Sequence, residues 1–276
     1  MEEKRRKLFC EYGPVCYEIS LVKENLKRTF RDMLHNRRFA KTRENQILPC
    51  VWKSHMSMML RPLLGIDMQL QENKVQNLRL AAAQIDGVVV APGEVFSLWA
   101  LVGRPTRRKG YLDGMVIAGG RPGKGLAGGL CQLANLIHYL VLHTPMEVIE
   151  LHHHSDALFP DAGRRVPFGT GTSIVYKNCD YRFQNTTPHP IQVRIWIEKQ
   201  MLMGEIRSTV LPEKRYRLKE EEHHYTRESD GYYRNSLVYQ VITDQAGELL
   251  EKKLILQNHS KVMYDPALIP QEEIRI

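Results

Sequence analysis

The chain has 276 residues, 43% hydrophobic and 25% charged, with 39 basic against 31 acidic residues and a formal net charge of +8. Such a composition is that of a globular protein with room for an adequate core, and it excludes a low-complexity or disordered chain. No apolar run approaches the ~20 residues of a bilayer-spanning helix, which excludes a helical membrane protein.

The first residues, Met1-Glu-Glu-Lys-Arg-Arg-Lys, are followed only by Leu8-Phe9-Cys10 before charge returns. That is short of the ~7–15 apolar residues of a signal peptide, so the expected compartment is the cytoplasm. From Val15 to Phe39 neither proline nor glycine interrupts. Ile19, Val22, Leu26, Phe30 and Leu34 recur there at three- and four-residue steps, predicting an amphipathic helix with a basic outer face. A second helix is predicted over 72–85, with Val75, Leu78, Ala82 and Ile85 on one face and Asp86-Gly87 ending it.

Glycine and proline then break residues 87–130 into turns and short extended pieces around Gly114–Ala118. Helical spacing returns from Cys131 to His143, where Leu133, Leu136, Ile137, Leu140 and Val141 mark a buried central helix. After Pro145 the period changes to two: Ile191, Val193, Ile195 and Ile197 alternate with polar neighbours. Further strands are expected at about 173–177, 180–185, 202–208, 214–219, 233–242 and 249–257, with a hairpin turn at Asp244–Gly247. Helices first and strands later predict an α+β fold, with antiparallel strands dominating the C-terminal half. Pro212 suggests a division into an N-terminal helical segment 1–52, a core domain 53–210 and a C-terminal β appendage 211–276.

Five cysteines at irregular spacing fit reduced thiols better than a disulfide framework, and no Cys-x-x-Cys pair supports structural zinc. The basic clusters are short and lack interleaved aromatics. Nucleic acid is therefore not an expected partner, while a peripheral contact with an anionic membrane surface stays open beside a plain solvated surface.

The chemistry converges on Cys131. It heads a predicted helix after a glycine turn, where free backbone N–H groups favour a thiolate. His152 or His154 is the candidate base, and Asp156 or Asp161 can orient it. Gln132 and the backbone N–H groups of Gly129 and Cys131 are candidate oxyanion donors. The competing reading is structural: a small buried cysteine, glycines that allow close packing, and a polar strand end. Arg164 and Arg165 lie in a turn that can grip a carboxylate such as a peptide terminus, or lie free in solvent. If 150–154 is a strand, His152 and His154 share a side and could hold zinc, yet aligned histidines are common without metal, and no metal is assigned. The glycines lack dinucleotide or Walker spacing, so no cofactor is expected.

Several ordered blocks carry a resemblance. Pro92-Gly93-Glu94-Val95-Phe96-Ser97, Val102-Gly103, Lys109-Gly110-Tyr111, Gly128-Gly129-Leu130-Cys131-Gln132 and His152-x-His154-Ser155 together resemble the VanW family, over roughly Lys53 to Asn185. Ala127 departs from the family's usual glycine, and Ala134-Asn135 from its common Ser-Thr. The resemblance implies an association with glycopeptide resistance and cell-wall precursors. It adds Gly128 and Ser155 to the candidate ligand contacts Gly129, Arg164 and Arg165, with a wall-precursor peptide as the candidate partner.

Overall fold

In the computed structural model the described residues are 8–60, 67–118, 121–153, 156–158, 160, 166–176 and 178–275. Helices α1 (Pro14–Leu34), α2 (Met68–Ile85), α3 (Leu98–Val102) and α4 (Cys131–Val141) lie in the first half. Among them run β1 (Cys50–Met58), β2 (Val88–Val90), β3 (Val95–Ser97), β4 (Asp113–Ala118) and β5 (Arg121–Leu126). Then come β6 (Glu147–Glu150), β7 (Asp156–Ala157), β8 (Arg182–Gln184), β9 (Ile191–Glu198) and β10 (Met201–Ser208). The chain finishes with β11 (Arg215–Glu228), β12 (Gly231–Thr243), β13 (Leu249–Val262) and β14 (Ile274–Arg275). The fold is α+β.

One sheet, ordered β1-β10-β9-β2, is antiparallel throughout and carries α2 and α4. Leu78, Ala81 and Ile85 of α2 join Leu133, Leu136, Ile137 and Leu140 of α4 against Val193, Ile195, Leu202 and Ile206, all buried in one apolar core. Gly204 on β10 leaves the space that Leu136 and Leu140 fill. A small sheet, β3-β8-β6, stacks Phe96 on Phe183 with ring centres 4.8 Å apart. The β4–β5 hairpin packs on α2. The C-terminal sheet, β14-β11-β12-β13-β7, is an antiparallel meander with a short parallel strand at each edge.

Strand β1 carries no clean alternation in sequence and is not among the expected strands, yet it pairs with β10 from Cys50 to Met58. Two expectations meet corrections. Residues 173–176 form no strand among the described residues and hold only the Val175–Cys179 bridge. Helix α1 exposes its basic residues as expected but does not turn its apolar face inward. It buries none of its residues, and Val15, Ile19, Val22, Leu26, Phe30 and Met33 are exposed. The reason is electrostatic: its polar side holds the body, Arg28 donating to Glu150 at 2.7 Å and to the Asn178 carbonyl at 2.6 Å, while Asp32 accepts from Arg182 at 2.8 Å.

Candidate functional site

Cys131 stands at the first position of α4, as the glycine turn predicts, but no side chain caps this helix start. Packing fixes it instead. A Cβ on Gly128 would fall 2.2 Å from the carbonyl carbon of Gly114, and Gly129, at φ +92°, would drive one to within 2.1 Å of Cγ of Lys74. Only glycine lets the turn pass between β4 and α2. Asn77 locks it from α2, donating to the carbonyls of Leu112 and Gly128 at 3.0 Å each. Gln132 reaches back to β1, its amide donating to Ser57 Oγ at 2.7 Å and the Met58 carbonyl at 2.8 Å.

The thiol itself faces the core edge. Burial pushes it above the ordinary cysteine range, and backbone hydrogen bonding at Ile174 and at Cys131 itself only partly offsets that push. Desolvation of the thiolate therefore outweighs the helix start. The segment Thr172–Ile174 lies across the gap toward His152. Thr172 N donates to Asn135 Oδ1 on α4 at 2.7 Å, Ser173 N donates to the His152 carbonyl at 2.7 Å, and Ile174 bonds at Cys131. Among the described residues the His152 ring is paired with Glu150, Nε2 to Oε1 at 3.0 Å, and no imidazole bonds Cys131. Asp156 sits on β7 opposite Lys261, at the edge of the C-terminal sheet. His154, Ser155, Asp161, Arg164 and Arg165 lie outside the described residues.

A different group of residues comes together beside α1. Asp180 is fully buried and accepts from Ser97 Oγ (2.6 Å), Arg182 Nε (2.7 Å), Trp99 N (3.0 Å) and Tyr181 N (2.9 Å), fastening α3 to β8. Glu150 Oε1 accepts from Arg28, His152 and the Asp180 backbone N–H. Asp32 is shared by Arg37 at 3.0 Å and Arg182 at 2.8 Å. Burial works against the Arg182 charge, and the bonds to Asp180 and Asp32 more than restore it. Asp32, Arg37, Asp180 and Arg182 line a cleft of about 630 Å³ together with Trp99, Tyr176, Phe39 and further residues of α1. Sequence reasoning missed it. Asp180-x-Arg182 and Glu150-x-His152 are legible as same-side pairs on extended chain, but Asp32 lies 150 residues from Arg182 and gives no local signal.

Among the described residues no group of three or more His, Cys, Asp and Glu side chains could hold a metal ion. No helix among them is long and apolar enough to cross a membrane. All five cysteines are free thiols.

Residues 73–207 match the family described as VanW like protein. The chain is 32% identical over 201 residues to the vancomycin B-type resistance protein VanW of Enterococcus faecalis (strain ATCC 700802 / V583), covering 72% of this chain and 73% of that protein. It is 31% identical over 123 residues to the uncharacterized protein YoaR of Bacillus subtilis (strain 168), covering 45% of this chain and 39% of that one. No solved structure matches.

Proposed function

Because this chain belongs to the VanW family, we propose that it serves glycopeptide resistance as a non-catalytic binding protein for a peptide-like cell-wall precursor, on the cytoplasmic side of the membrane. The observation that carries this reading is the state of Cys131. Its thiol packs against the core, burial pushes it above the ordinary cysteine range, and the His152 ring is engaged by Glu150. A cysteine nucleophile needs the opposite on each count.

The cleft beneath α1 has the chemistry of a peptide site. Trp99 and Tyr176, edge to face at 5.5 Å, give an apolar wall. At the rim Arg37 gives Asp32 a single bond at 3.0 Å, which leaves guanidinium donors for a terminal carboxylate. Binding of N-acetylmuramoyl-pentapeptide, followed by calorimetry, tests the reading. Arg37→Ala and Tyr176→Ala should each weaken it about tenfold, the scale of one charge-assisted bond or one stacked contact, and Cys131→Ala should leave it unchanged. Alkylation of Cys131, with the other cysteines replaced by serine, should stay slow until the protein unfolds. Fast alkylation with an apparent pKa below the ~8.5 of free cysteine, dependent on His152 or His154, would instead support the competing reading of a Cys–His site acting on a peptide-like wall precursor.

A further inference from the structure

Helix α1 is amphipathic in the ordinary sense but mounted the other way round. At 100° per residue, Val15, Ile19, Val22, Leu26, Phe30 and Met33 form one continuous stripe along its 21 residues. All six are between 49% and 72% exposed. Just ahead of the helix, Phe9 and Tyr12 are exposed as well. Scattered apolar residues on a surface need no explanation, but a stripe running the length of a helix does.

The rest of the helix says what the stripe meets. One edge carries Lys23, Lys27 and Arg31 at four-residue steps, all exposed, with Glu24 bonded to Lys27 at 2.8 Å as the acidic neighbour on that side. The opposite flank, with Asn25, Arg28 and Asp32, is occupied by the protein body. An apolar stripe bordered by a basic row, on a helix far too polar to insert across a bilayer, matches the plane of an anionic membrane: apolar side chains enter the headgroup boundary and the cations lie among the phosphates. A second copy of the helix fits less well, since antiparallel two-fold pairing of the stripes would bring the two basic rows together. We infer that α1 is a membrane-surface helix that seats the protein on anionic lipid through Val15, Ile19, Val22, Leu26, Phe30 and Met33, with Lys23, Lys27 and Arg31 as its electrostatic edge.

Flotation of the full chain with phosphatidylcholine vesicles, with and without phosphatidylglycerol, tests this. The protein should bind the anionic vesicles and not the neutral ones. Replacing Lys23, Lys27 and Arg31 together by alanine should weaken binding on the order of 100-fold, about fivefold for each cation removed. Leu26→Ser with Phe30→Ser should abolish it. Because the stripe residues bury nothing within the protein, both variants should keep the wild-type urea midpoint. Absence of vesicle binding, or equal binding to neutral and anionic vesicles, overturns the inference. So does a concentration-dependent dimer that Leu26→Ser with Phe30→Ser dissolves, which assigns the stripe to a second copy.

Discussion

Helices α1 and α4 carry the same kind of sequence pattern, and the fold treats them in opposite ways. On α4 the apolar positions Leu133, Leu136, Ile137 and Leu140 are buried against β1 and β10. On α1 the apolar positions face out, and the helix is held by Arg28 and Asp32. Hydrophobic periodicity establishes that a helix has a face; it does not establish what covers that face. The covering is decided by whichever side finds stronger partners, and α1 meets a concentrated set of charges on the body.

Four perturbations test how far this contrast extends. The largest effect is expected at the charge cluster that anchors α1. Asp180→Ala leaves Arg182 buried without its main partner and should cost about 3–5 kcal/mol in urea unfolding, while loosening the α1 side of the molecule to proteolysis. If stability is unchanged, the ion-pair anchoring is wrong. Leu140→Ala, at a fully buried α4 position, should cost about 3 kcal/mol by the same measurement.

The third test uses acid. Burial, with a nearby His153, depresses His138 to about 3; burial, with Lys53 and His55, depresses His143 to about 4. Both are held neutral in the folded protein, whereas unfolded histidine titrates near ~6.5. Folded stability is therefore at full value above that pH and falls as pH drops toward 4 and then 3. Between ~6.5 and ~5 each histidine should contribute about 2 kcal/mol of loss. His138→Gln and His143→Gln should flatten the thermal-stability profile over that interval; an unchanged slope would mean that neither ring is held neutral. The smallest effect belongs to α1: Leu26→Ala should change the free energy of urea unfolding by no more than about 0.5 kcal/mol, against about 3 for Leu140→Ala. A loss comparable to that of Leu140 would show that α1 is covered in solution.

Legibility in the sequence followed the range of the forces involved. Helix α4, the turn at Asp244–Gly247 and strands β9 to β13 could be read because their signals are local: period 3.6, period 2 and a glycine turn. Strand β1 was not legible, because its half-buried residues take their pattern from β10 across the sheet. The candidate site divided in the same way. Cys131 at a helix start beyond a glycine turn could be read from neighbouring residues. That Ile174 would bond at Cys131 depended on a segment brought in from elsewhere in the chain, whereas the Glu150–His152 pair joins near neighbours in sequence.

Family membership and α+β class were thus set by residue order alone, since ordered motif blocks and hydrophobic periods survive any uncertainty about packing. Tertiary structure alone decided the packing that raises the Cys131 thiol, the buried Asp180–Arg182 cluster and the outward face of α1. Each of these rests on desolvation and charge pairing between segments as much as 150 residues apart, energies that exist only once the chain has brought those segments into contact.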